Sequence, residues 1–155
     1  PGLFRVVGKI DAQLRSFLLG QLTVCSILAL MYAIGLGVSG VPFWFIIALF
    51  GGFATLIPFF GVIMTFVPSF LLTLIYHGID AQLLYVVITF IVVQALEGNV
   101  VTPLIMGNTV GLHPVWVILA VMVFGSLLGF PGLLIAVPLA AILKVLVGEA
   151  LAYYK

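Results

Sequence analysis

The residues able to do chemistry are few, and the most telling of them lie together in Gln94–Pro103, QALEGNVVTP, at the far end of a long apolar run. Glu97 brings a carboxylate, and Gln94, three residues back and so on the same helix face, brings an amide. Asn99 and Thr102 add a second amide and a hydroxyl, and Pro103 removes a backbone donor. A carboxylate in lipid costs on the order of several kcal/mol unless it is paired, wetted or protonated. Glu97 is therefore a candidate proton acceptor or cation ligand. The alternative is hydrogen bonding between helices near the interface, with Gln94, Asn99 and Thr102 as partners. Spacing leaves both open.

Other polar residues interrupt apolar runs at Gln21, Thr23, Ser26, Thr55, Thr65 and Thr89, and most read as contacts between helices. Gln21 is the sharper candidate, because Gly20 beside it permits close approach and its amide needs a partner. His77 and Asp80 fit an interfacial turn, His113 before Pro114 fits a helix cap, and Trp44 and Trp116 fit interface belts. The single cysteine, Cys25, reads as a packing residue and can form no intrachain disulfide. There is no Ser, His and Asp set, no carboxylate pair, and no zinc or helical metal motif. Nor is there a Gly-rich phosphate loop or a basic patch with interleaved aromatics. The expectation is a protein that is not an enzyme, with no cofactor, no metal and no nucleic-acid partner.

The solvent follows from composition. Of 155 residues, 65% are hydrophobic and 6% charged, against about 25% charged in globular proteins. Five basic and four acidic side chains cannot solvate the surface of a water-soluble domain of this length. The partner implied for most of the surface is a lipid bilayer. The chain opens on PGLFRVVGKI without a signal-peptide layout. Pro1 is accordingly expected to be a cut point, with further membrane segments upstream.

Five elements must position these residues. Residues 1–15 mix Arg5, Lys9, Asp11 and Arg15 with apolar side chains and suit an amphipathic helix at the membrane surface. Phe17 to Val38 is apolar for roughly 22 residues, enough at ~1.5 Å each to cross a ~30 Å hydrocarbon layer. Two shorter apolar stretches follow, broken at Pro58–Gly61 (PFFG), and HGID at 77–80 then turns the chain. Ala81 to about Val101 is a second long span. After a Pro-, Gly- and Asn-rich connector come two more short apolar halves, broken at Phe130–Gly132 (FPG).

The layout occurs twice, and so do some of its letters. PFWFIIA from Pro42 matches PVWVILA from Pro114, 72 positions on, and Gly52, Gly61 and Pro68 match Gly125, Gly132 and Pro138 at similar shifts. Each broken pair returns the chain to the side it left, so the single long helix between the pairs reverses sidedness and the repeats are expected to be inverted. On that topology Arg5, Lys9, Arg15, Lys144 and Lys155 share one face, which the positive-inside rule makes cytoplasmic, together with both ends of the segment.

The fold class expected is all-α, a polytopic integral membrane protein of two inverted repeats. Each repeat has one long transmembrane helix and one broken or re-entrant helical pair. A single transmembrane domain spans 1–155, divided as an interfacial segment (1–15), a first repeat (16–80), a second repeat (81–147) and a cytoplasmic tail (148–155). Inverted repeats with broken helices are how many carriers build a central site, since helix ends at the breaks offer amide and carbonyl dipoles to a solute. The pathway residues expected are Gln21, Pro58, Gly61, Gln94, Glu97, Asn99, Thr102, Pro103, Pro131 and Gly132. The expected partner is a small polar solute or a monovalent cation. A rival is a non-transporting scaffold or homo-oligomer in which Gly35, Gly37, Gly51 and Gly52 serve helix contacts.

Four longer strings carry a family resemblance: RSFLLGQL, IPFFG, ALEGNVVTPLIMGNTVGLHP and FGSLLGFPGLLIAVPLAAILKVL. Over nearly its whole length the chain resembles the carboxyl-terminal part of the autoinducer-2 exporter family of bacterial membrane transporters. The resemblance implies an inner-membrane carrier, some members exporting the quorum-sensing signal autoinducer-2 and others acting as sodium or proton antiporters. The positions resembling family motifs are Gly20, Gln21, Pro58, Gly61, Glu97, Asn99, Pro103, Gly107, Gly111, Pro114, Gly125, Gly132 and Pro138. Full-length members have additional amino-terminal spans, so the resemblance leaves open whether this segment acts alone.

Overall fold

Within lipid a backbone satisfies its own hydrogen bonds or sits against protein that does, and an apolar chain with isolated breakers meets that condition as helix. A computed structural model describes residues 2–106 and 114–155. Gly107, Gly111 and His113, singled out in the sequence, lie outside the described residues. Those described form α1 (Gly2–Val38), α2 (Trp44–Ala54), α3 (Phe60–His77), α4 (Ala81–Leu96), a π-turn (Glu97–Val101), α5 (Thr102–Met106), α6 (Pro114–Leu128) and α7 (Phe130–Tyr153), with no strand among them. Four stretches are long and apolar enough to cross a membrane: Gly2–Val38, Phe60–His77, Ala81–Ile105 and Phe130–Tyr153. The fold is all-α and polytopic, as the sequence predicts.

Several boundaries fall elsewhere than expected. The amphipathic segment and the first span are one continuous helix of 37 residues, because nothing between Gly2 and Val38 removes a backbone donor. The second break is a single residue, Gly129, at φ 70°, rather than Phe130–Gly132. Pro131 sits in the first turn of α7, where its missing N–H has no helical partner to lose. The helix continues to Tyr153, through most of the expected tail. The first break runs over Thr55–Phe59 and contains Pro58. Phe59, like Phe43 ahead of α2, follows a proline, takes a left-handed conformation (φ 66° and 59°) and leads directly into its helix. α2 has only 11 residues, a rise of about 16 Å.

The chain forms two compact units. The larger, Gln21–Ile105, buries small and hydroxyl-bearing side chains alongside a few large ones and turns most of its large apolar side chains outward, as suits a protein whose solvent is lipid. Along α1 the buried residues Val24, Cys25, Leu28, Ala29, Tyr32 and Leu36 make one stripe. On α3 the buried Thr65, Ser69 and Thr73 each donate a hydroxyl to the carbonyl four residues back, at 2.6 to 2.7 Å. Outward lie Phe50, Ile75 and Ile91, each well exposed. A chain of rings, Tyr32 on Phe90 and Phe90 edge-on to Phe66, each pair 5.0 Å apart, ties α1 to α4 and α4 to α3.

In the other unit, which takes in α6 and α7, the helices fold against each other across Gly129, burying Ala120, Gly132, Ala136 and Val137. Both hairpins close on a glycine that has no room for a side chain. A Cβ on Gly61 would lie 2.5 Å from the Thr55 main chain, and one on Gly132 would strike the Phe124 carbonyl. Gly61→Ala is expected to destabilise the protein by about 1–3 kcal/mol, since backbone rather than a flexible side chain must move. Gly8→Ala, in open helix with nothing within 4 Å, should be neutral or stabilising by up to about 1 kcal/mol. Thermal melts of both variants in detergent micelles check the contrast.

Candidate functional site

Within the larger unit, polar groups that lipid would not tolerate alone converge on one face of α1. Gln21, Cys25 and Tyr32, spaced by four and then seven residues, share a helical stripe. Gln21 sends its amide to the main-chain oxygen of Thr55, 3.0 Å away, at the point where α2 ends and its last carbonyls lose their helical donors. Cys25 Sγ lies 3.1 Å from Thr55 Oγ1, and that hydroxyl in turn donates to the Gly52 carbonyl. The first break is thereby closed by protein groups from two helices. Its predicted residues, Pro58 and Gly61, act here by ending one helix and letting the next pack closely.

Farther along the same stripe, Tyr32 is fully buried, and its hydroxyl accepts a 2.8 Å hydrogen bond from the Gln94 amide on α4. The Gln94 amide also lies beside Glu97, one turn on along the same helix face. Glu97 is half-buried. Gln21 and Gln94, chosen from sequence, thus bond across helices at two points of the α1 stripe, with Thr55 and Tyr32 as their partners, and Glu97 follows Gln94 by one turn.

Glu97 also opens the π-turn. The Thr102 N–H reaches back five residues to the Glu97 carbonyl, widening the helix just before Pro103. A regular α-helix would drive the Pro103 ring into the Asn99 carbonyl, and widening the turn relieves that clash. Asn99 does not join the cluster, because its side chain donates to the Ala95 carbonyl of its own helix at 2.8 Å. Thr102 and Pro103 begin α5. Pro131 and Gly132 lie in the first turn of α7, in the other unit.

A cleft of about 380 Å³ opens between α2 and α3, and its lining is apolar, formed by residues such as Ile46, Phe50, Met64 and Pro68. None of the predicted pathway residues lines it. Among the described residues no group of His, Cys, Asp and Glu is arranged to hold a metal ion. The cluster on α1 offers a carboxylate, amides, a phenol and a thiol, a set suited to accepting a proton or hydrogen-bonding a polar guest.

Sequence reasoning missed Tyr32, whose ring reads as one more apolar or interfacial residue. The signal available was its position, eleven residues after Gln21 and so on the same face. Helices of spanning length with breaks, a π-turn and an internal carboxylate define a multi-pass membrane protein. The chain belongs to the AI-2E transporter family, whose model matches residues 3–152. It is similar to the candidate transport protein YrrI of Bacillus subtilis, 38% identical over 88% of this chain and 38% of that protein. A second similar protein of that bacterium, YueF, is 29% identical over 93% of this chain and 40% of its own length. The candidate permease PerM of Escherichia coli is 41% identical over 37% of this chain and 16% of its own. The chain spans about two fifths of the length of YrrI and YueF.

Gln21→Leu keeps the bulk of the side chain and strands the Thr55 carbonyl. It is expected to cost about 0.5–1.5 kcal/mol, read as a lowered melting temperature. Ser26→Ala, which removes only an exposed hydroxyl bonded within its own helix, should stay within about 0.5 kcal/mol of the parent.

Proposed function

We propose that this chain is the membrane-embedded part of a transporter that exports a small polar solute such as autoinducer-2, working by alternating access. One observation carries the reading: a carboxylate, Glu97, beside Gln94 within a membrane-spanning stretch and at the start of a π-turn. An ionisable group kept within a span at such a cost marks a functional pathway by default, and π-turns gather at functional sites. Membership of the AI-2E transporter family supports the same class.

In this proposal Gln21, Gln94 and Glu97 contribute to the pathway, and the two broken pairs belong to inverted repeats. The basic face, with both ends of the segment, lies in the cytoplasm of a bacterial inner membrane. The Glu97 carboxylate also favours a second reading, sodium or proton antiport, in which charge transfer through Glu97 is itself the function.

Flux through the complete protein in proteoliposomes tests both readings, with autoinducer-2, sodium and protons compared side by side. Glu97→Gln is expected to lower flux of the transported species about tenfold or more, the loss that follows when a charge-assisted hydrogen bond is removed. Wild-type flux in Glu97→Gln, with unchanged dependence on pH, would exclude Glu97 from coupling. Sodium or proton flux without autoinducer-2 flux would select the antiport reading.

A further inference from the structure

The contact between Tyr32 and Gln94 is not used by the transport reading above, yet it ties α4 to the polar stripe of α1. Tyr32 is 0% exposed, and its ring is fixed by Phe90, 5.0 Å away, which is itself pinned by Phe66 of α3. A phenol held this way has little freedom to move its oxygen. The Gln94 side chain that meets it has rotamer freedom of its own, and it lies one turn before Glu97 on the same helix face. An amide has two N–H donors, so one can rest on the phenol while the other serves the carboxylate.

We infer that Tyr32 is a positioning residue for Glu97: its immobile hydroxyl anchors the Gln94 amide, and the anchored amide sets where the carboxylate points. The inference rests on the proposed function only in giving that orientation a use, since the arrangement itself is independent of any cargo. Pairing an amide with a fixed partner removes side-chain freedom before the carboxylate is engaged, which is how supporting groups hold a site in its working geometry. The π-turn that begins at Glu97, with its carbonyl bonded five residues on instead of four, places the carboxylate where the helix changes width.

The test measures the carboxyl directly and needs no cargo. The complete protein in lipid vesicles is treated with dicyclohexylcarbodiimide, which adds covalently to carboxyl groups in apolar surroundings, and labelling at Glu97 and at Asp80 is followed by peptide mass spectrometry at one fixed pH. Asp80, the exposed cap of α4, is the internal control, and Glu97→Gln is the blank. Tyr32→Phe keeps the ring and deletes only the hydroxyl. It should change the Glu97 labelling rate at least about threefold, the scale of one hydrogen bond between membrane helices, with Asp80 unaffected. Gln94→Ala should change it to the same extent, and adding Tyr32→Phe to Gln94→Ala should change nothing more, because the phenol acts only through the amide.

An unaltered Glu97 rate in Tyr32→Phe would overturn the assignment. So would full additivity of the two substitutions. Equal changes at Glu97 and Asp80, together with a melting temperature lowered by more than a few degrees, would show general loosening and overturn it too. These outcomes are separate from the flux of Glu97→Gln, so the positioning role can fail while the transport reading stands, or survive when it falls.

Discussion

Everything in this fold answers to one constraint: a peptide group within lipid finds a partner in the protein or is not there at all. Helices meet it along their length, and each place where a helix stops or widens has to meet it by other means. Where α2 ends, the Thr55 carbonyl is taken by Gln21 from a helix 34 positions earlier in the chain, and the Gly52 carbonyl is taken by the Thr55 hydroxyl. At the end of α1, the Ser39 hydroxyl returns to the Gly35 carbonyl at 2.7 Å. Before Pro103, the helix adopts a wider turn instead of breaking. The polar residues of the larger unit are mostly these repairs, and the candidate site has grown around them.

The same constraint explains why glycine, alanine, serine and threonine share the interior with a few large side chains such as Leu28, Tyr32 and Phe90, while Phe50, Ile75 and Ile91 face outward. Apolar bulk gains nothing by moving from lipid into protein, so close approach of helix to helix and internally bonded hydroxyls take over the role of a hydrophobic core. The three hydroxyls of α3 illustrate the economy. Each is spent on its own helix, leaving a narrow, polar but satisfied face. Gly52 plays the matching part on α2, where a methyl group would come within 2.6 Å of the Ala29 main chain on α1.

Much of this architecture was visible in the sequence because hydropathy and breakers act locally. The spans, the turn at 77–80 and the presence of both breaks follow from apolar runs and from Pro and Gly. The displacement of the second break to Gly129 was not visible, since Phe130, Pro131 and Gly132 serve equally well as a turn or as a first helical turn followed by a close contact. Partners separated by tens of residues were invisible for a different reason. Nothing near Gln21 announces Thr55, and nothing near Gln94 announces Tyr32, because those pairings are set by how α1 lies against its neighbours. Glu97 stood out because charge in an apolar run is conspicuous, whereas the phenol that serves it is disguised by its own ring. Asn99 illustrates the opposite error, a conspicuous amide that turns back onto its own helix.

The shortness of α2 reaches beyond the protein itself. A helix of 11 residues covers roughly half of a ~30 Å hydrocarbon layer, so wherever both of its ends are to reach water the acyl chains beside it have to bend or the two leaflets have to draw together. Each ångström of such distortion carries an elastic cost of a fraction of a kcal/mol. In that arrangement bilayer thickness enters the energy of the α2–α3 hairpin, and the same sequence comes under different mechanical load in membranes built from shorter or longer lipids.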